Sequence, residues 1–217
     1  MSARDAVLGA VRAGLGERAI NPVRLAAEAR ALLDDLDAIR PGLMAADPVE
    51  AFVARATSPK LIGTSLDRIP DEAGFPAAVA RYLAGQGLPP GIVLQPSPDL
   101  ATLDWGGFDV GHAMEPDEPV GVGVARWAIA ETGSLVLHSG ADTPILFNFL
   151  PLHHVVLVRA GTVLPYLEDY AAALAASGDP PRNVNIITGA SGTTDIEGVL
   201  VRGAHGPRHL HIVVAGA

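Results

Sequence analysis

Asn185-Ile186-Ile187-Thr188-Gly189-Ala190-Ser191-Gly192-Thr193-Thr194-Asp195-Ile196-Glu197 is the stretch on which the reading of this chain turns. A short apolar run ends in Thr-Gly-Ala-Ser-Gly, the pattern of a buried strand breaking into a loop of small residues. Such a loop lets a ligand come close to backbone N–H groups. In an open α/β sheet, ligands sit beyond the carboxyl ends of the strands. Two hydroxyls and two carboxylates follow at once, and then Gly203-Ala204-His205-Gly206-Pro207. The same residues also suit an ordinary turn, with Thr194 or Asp195 as a helix N-cap.

Working outward, apolar runs alternate with helical patterns. Gly91-Ile92-Val93-Leu94, Val155 to Val158 and His211 to Val214 read as core strands, as does Asn185 to Ile187. Phe75, Val79, Tyr82 and Leu83 form one face of a helix over 74–84, stopped by Gly85 and Gly87. Val163, Leu167, Tyr170 and Leu174 mark another, ended by Ser177 to Pro181. Residues 121–140 read as a β-hairpin turning at Glu131-Thr132-Gly133. Pro144 to Phe149 suits a helical turn, and Leu61-Ile62-Gly63 a short strand. Residues 95–119 form a long Pro-, Gly- and Asp-rich loop with one short element around 101–105. Ahead of these lie three helices, over 4–15, over 22–39 (Leu25, Ala29, Leu32, Leu33 and Leu36 on one face), and after Asp47, an N-cap with Pro48 at the first helical position. The division expected is an N-terminal helical extension over 1–58 and an α/β domain over 59–217. Its sheet would be parallel-rich and covered on both faces.

Hydrophobic content of 49% and a mean hydropathy of +0.30 specify a folded core. A net charge of −9 argues against nucleic acid, whose binding depends on neutralising phosphates. No run reaches the roughly 18 apolar residues of a membrane span. Arg4, Asp5, Arg12, Glu17 and Arg18 leave no apolar signal-peptide core, so a cytoplasmic protein is expected. With 0 cysteines, the chain has no thiol nucleophile and no thiolate ligands for an iron–sulfur cluster. Lys60, the single lysine, reads as a surface residue.

Several residues could carry chemistry. Glu131, beside Gly133 and the hydroxyls of Thr132 and Ser134, suits a base or nucleophile if burial raises its pKa, or a turn carboxylate that accepts from amides. Asp195 and Glu197 share a face only on a strand. All 7 histidines lie from His112 onward. His205, between small residues, is the best placed near a ligand. His209 and His211 have a spacing that occurs in metal sites as well as in cores. His153 and His154 precede a core strand, where one could face the site, although Pro151-Leu152 suggests packing at a strand start. Gly189 to Gly192 offers consecutive amides as an anion nest. Neither a Walker loop nor a dinucleotide fingerprint is present, so NAD is not expected.

Ala130-Glu131-Thr132-Gly133-Ser134, Leu150-Pro151-Leu152-His153-His154, the Thr188–Glu197 segment and Gly203 to Pro207 occur in the order of the lactate utilization (LUD) domain family, which this chain resembles from about Gly121 to Val214. The family usually has Pro where Ala190 stands and often Arg where Gly192 stands. The resemblance implies an α/β, Rossmann-like three-layer sandwich related to the sugar-phosphate isomerase and coenzyme A transferase group. It also implies a part in oxidising L-lactate to pyruvate with iron–sulfur partner subunits. On this reading Glu131 and His205 are expected as catalytic residues, and Thr132, Gly189, Ser191, Thr194, Asp195 and Glu197 as binding residues for a small carboxylate or acyl ligand. No metal and no cofactor is expected on the chain itself. The N-terminal helices suit self-association into a homo-oligomer or the docking of a partner. The alternative is a stand-alone acyl or coenzyme A transferase, or a sugar-phosphate isomerase, that needs no partner.

Overall fold

The computed structural model describes residues 2–15, 21–178, 180–194 and 197–216, the side chain of Leu33 excepted. Glu17, Arg18, Asp179, Asp195 and Ile196, all used in the sequence reading, lie outside the described residues. The chain divides into two compact units, residues 1–41 and 42–217.

In the first unit, α1 (Ala3–Leu15) is followed by α2 (Pro22–Asp34) and a 3₁₀ turn, Leu36–Ala38. Asn21 caps α2: its side-chain oxygen accepts from the N–H groups of Val23 at 3.0 Å and Arg24 at 3.2 Å, and Pro22 takes the first turn.

The second unit begins with α3 (Pro48–Ala56), capped by Asp47, whose carboxylate accepts from Glu50 N–H at 2.9 Å. The sequence reading assigned α3 to the extension. In the structure it belongs to the larger unit, because Ala51, Phe52 and Ala56 are fully buried against the sheet. The remaining elements are β1 (Thr64–Ile69), α4 (Phe75–Gln86), β2 (Gly91–Leu94), α5 (Pro98–Ala101), β3 (Asp109–Gly111), β4 (Val120–Val124), β5 (Trp127–Ile129), β6 (Ser134–His138), β7 (His153–Arg159), β8 (Val163–Leu164), α6 (Leu167–Ser177), β9 (Val184–Ile187), β10 (Gly192–Thr194), β11 (Leu200–Arg202) and β12 (His209–Ala215).

A six-stranded sheet in the order β1-β12-β7-β4-β2-β3 is parallel throughout. Side chains alternate across it. Val155, Leu157 and Val213 pack on one face against Phe75, Val79 and Leu83 of α4. Val156, Val158, Ile212 and Val214 pack on the other against α3 and against Ala128, Leu135 and Leu137. The last three belong to a second sheet, β8-β5-β6-β9, so this face is covered by strands as much as by helix. The fold is mixed α/β with a parallel central sheet.

Three strand readings change. Residues 121–140 do not form one hairpin: β4 lies in the central sheet, the chain crosses at Ala125-Arg126, and β5 and β6 form the hairpin in the second sheet. Leu61 to Gly63 is a turn, and the strand lies just after it, in β1. Asn185 to Ile187 belongs to β9 at the edge of the smaller sheet, where Ile186 is 45% exposed. Gly133, at φ +71°, closes the β5–β6 turn where a Cβ would stand 2.9 Å from the Ala56 backbone nitrogen, so α3 packs directly onto this turn.

Phe52→Ala is expected to destabilise this unit by roughly 3–5 kcal/mol through lost burial and a residual cavity. Urea denaturation measures this, and a loss under about 1 kcal/mol would contradict the placement of α3 in the core.

Candidate ligand cleft

Ser191 ties the two sequence motifs together. Its N–H donates to the Pro207 carbonyl at 2.9 Å, its carbonyl accepts from Gly203 N–H at 3.0 Å, and its Oγ accepts from His205 N–H at 3.4 Å. The Thr188–Gly192 loop and the Gly203–Pro207 segment therefore form one wall. The Ser191 amide is used in doing so, and the anion nest read from Gly189 to Gly192 loses that donor.

Behind this wall a second link reaches the Glu131-Thr132-Gly133-Ser134 turn. Thr132 Oγ1 and Ser134 Oγ share a hydrogen bond at 2.6 Å, and Ser134 Oγ and Thr188 Oγ1 share one at 2.5 Å. Ser134 is buried, so the chain of hydroxyls is anchored in the core. Glu131 lies at the far end: its carboxylate accepts from Leu167 N–H at 3.4 Å, at the start of α6. It is not among the residues lining the cleft described next.

A cleft of about 350 Å³ lies against the Ser191 wall, lined by Asn148, Phe149, His154, Ile186, the Thr188–Thr193 segment, His205, Gly206 and Leu210 among others. His154 and Leu210 stand at the amino ends of β7 and β12, so the cleft is at the opposite end of the parallel sheet from the one the strand rule indicates. Of the expected site residues, the fold brings Gly189, Ser191 and His205 to this cleft and leaves Glu131 and Thr132 beyond its lining. Thr194 is exposed on the β10–β11 hairpin, and Glu197 is exposed in its turn. On the other side of the loop, Lys60 and Arg202 line a recess of about 190 Å³ that shares Thr188 to Gly192 with the cleft.

The sequence reading left His153 and His154 between facing the site and packing at a strand start, and His154 is the most unusual side chain here. It is 1% exposed, and among the described residues neither ring nitrogen has a hydrogen-bond partner. Burial pushes its imidazole down to about 4, so the ring is neutral at pH 7 and offers one donor and one acceptor. An unsatisfied buried polar group is costly and marks a place where a ligand or a water belongs. Gly123 makes the space for it: a Cβ there would lie 3.3 Å from His154 Nε2 and 2.6 Å from Gln95 Oε1. The signal in the sequence was a histidine in register with Val156 and Val158 on a fully buried face.

The other histidines of these strands face α4 and are used in stacking. His153 lies over His209 at 4.3 Å and Tyr82 over His211 at 4.2 Å, while Tyr82 OH bonds His153 Nδ1 at 2.8 Å and Ser65 Oγ bonds His211 Nδ1 at 2.8 Å. Among the described residues no group of three or more His, Asp or Glu is arranged to hold a metal ion.

Residues 118–215 match the LUD domain family. Lactate utilization protein C of Deinococcus radiodurans is 32% identical over 198 residues, covering 82% of this chain and 88% of that protein. Lactate utilization protein C of Halalkalibacterium halodurans is 36% identical over 100 residues, 44% of each chain. The crystal structure of a DUF162 family protein from D. radiodurans superposes with a TM-score of 0.54 at 22% identity, covering 78% of this chain and 94% of that one.

The depressed His154 pKa has a consequence for stability. Above the ordinary imidazole value of 6.5 the ring is neutral whether the chain is folded or unfolded, and full stability is present. As pH falls from 6.5 toward about 4, only the unfolded chain takes up the proton, and this residue alone removes roughly 3 kcal/mol. Urea denaturation from pH 7.5 to 4 should show a shallower loss in His154→Leu than in the wild type. Parallel pH curves would contradict the burial of a neutral ring.

Proposed function

The chain belongs to the LUD domain family, and from that premise we propose that it is a component of L-lactate utilization, with the Ser191 cleft holding a small carboxylate or acyl species. The observation that carries the reading is His154, a neutral ring with two unpaired nitrogens beside a cleft large enough for a three-carbon acid. A 2-hydroxy acid presents both a hydroxyl donor and oxygen acceptors to such a ring. The Ser191 wall supplies small residues that admit close approach, and Lys60 and Arg202 place positive charge just behind it. Ser191, Gly189 and His205 are the ligand-facing residues on this reading. Glu131 acts through the start of α6.

Oxidising L-lactate to pyruvate releases two electrons and two protons. With 0 cysteines, this chain lacks the ligands of thiolate-bound clusters. The proposal therefore assigns the electrons to an iron–sulfur partner subunit and the binding of the carboxylate to this chain. It also takes the Rossmann-like relation to the transferase and isomerase group as the origin of the scaffold, and the cytoplasm as its location. Among the described residues no helix is long and apolar enough to cross a membrane.

Deleting the gene in its native host should abolish growth on L-lactate as sole carbon source. Wild type and Glu131→Gln, whose amide oxygen still accepts from Leu167, should restore growth. His154→Leu should accumulate as folded protein and fail to restore it. Normal growth of the deletion strain would contradict the pathway. Rescue by His154→Leu would keep the pathway and remove the cleft from it.

A further inference from the structure

Arg126, Arg159 and Arg182 lie far apart in the sequence and line one cleft of about 600 Å³. This cleft opens at the carboxyl ends of β2, β4 and β7, marked by Gln95, Val124 and Arg159, the position where open α/β sheets hold ligands. It is distinct from the Ser191 cleft, which meets the amino ends of β7 and β12.

Its floor is built. Gln95, 3% exposed, accepts from Val124 N–H at 3.1 Å and donates Nε2–H to the Asp142 carbonyl at 3.2 Å, tying β2, β4 and the loop after β6 together. Arg159 is already committed. It donates to both oxygens of Glu72 at 2.6 and 2.8 Å and to Asp99 at 2.8 Å. Arg126 and Arg182 are not: among the described residues neither has a carboxylate partner. The Arg126 guanidinium stands 5.1 Å from the centre of the Trp127 ring, a stacking that leaves its N–H groups free to donate. Two unpaired guanidinium groups in a chain of net charge −9 are a selective feature for an anion.

We propose that this cleft binds a phosphate-bearing small molecule, with Arg126 and Arg182 on the phosphate and Asp142 and Thr143 on hydroxyl groups of the ligand. A guanidinium fork matches a phosphate bidentately, and two of them suit a dianion better than the single charge of a short carboxylic acid. The volume, about 600 Å³, exceeds what a three-carbon acid fills and falls in the range of small-molecule sites. Asp142 is an acceptor for a hydroxyl and repels a second anionic group, so the ligand carries its charge at one end. The proposal uses none of the residues of the Ser191 cleft, and it stands or falls apart from the lactate reading.

The test titrates inorganic phosphate into the full chain at fixed ionic strength and follows the two indole N–H resonances by NMR. Trp127 lines the cleft and Trp105 packs in the core against α4. Phosphate should shift Trp127 and leave Trp105 unmoved. L-lactate at the same ionic strength should leave both unmoved. Arg126→Gln and Arg182→Gln, changes at exposed side chains, should each weaken the apparent Kd about tenfold while far-UV circular dichroism and Tm stay at wild-type values. No Trp127 shift, an equal response to lactate, or an unchanged Kd in both variants would overturn the proposal.

Discussion

The parallel pairing of β12 between β1 and β7 is the constraint on which the rest of the structure depends. Seven residues of β12 pair with β7 from His209↔His153 to Ala215↔Arg159, and six pair with β1 from Thr64↔Leu210 to Ile69↔Ala215. The strand that comes last in the sequence thus sits inside the sheet. Its central apolar residues serve both cores, Val213 toward α4 and Ile212 and Val214 toward α3 and the second sheet. Its entry point also fixes the cleft. Once His209 is in register with His153, Gly203 to Pro207 must lie beside the amino ends of the strands, and there Ser191 engages them through backbone bonds on both sides.

A parallel sheet covered on both faces should bury apolar residues alone. His154 departs from that at the amino end of β7 on the covered face, and burial holds its ring neutral with no partner among the described residues. Local rules are broken in this way at functional or strained sites. His153, His209 and His211 show the ordinary outcome by contrast: each lies in a stacked pair of rings, and His153 and His211 each bond a hydroxyl. Among the described residues both ring nitrogens of His154 lack a partner, whereas His211 lacks one at Nε2 alone.

Much of the fold was legible in the sequence. β2, α4, β7 and β12 are apolar runs or stripes of the right period bounded by glycine or proline, and the Asp47-Pro48 start of α3 was readable from capping chemistry alone. β1 was not, because an edge strand carrying Asp67 and Arg68 lacks an apolar run and forms only when β12 pairs with it. The break between β4 and β5 was hidden because Ala125-Arg126 has no turn signature, although the two strands join different sheets. The resemblance to known sequences grouped the Thr188–Glu197 and Gly203–Pro207 motifs. The reason for the grouping, a single serine bonding at its amide, carbonyl and hydroxyl, is visible only in three dimensions. Glu131 was singled out on chemistry and stands at the start of α6, while Arg126 and Arg182 were too far apart in sequence to read as a pair.

The central claim is that His154 and the Ser191 wall receive a small 2-hydroxy acid. The most direct measurement is the ¹⁵N spectrum of the histidine rings during titration with L-lactate at pH 7, with the His154 signals identified by their loss in His154→Leu. The His154 nitrogens should move, one as a donor and one as an acceptor, while those of His153, His209 and His211 stay in place. Saturating lactate that leaves the His154 signals where they were would contradict it.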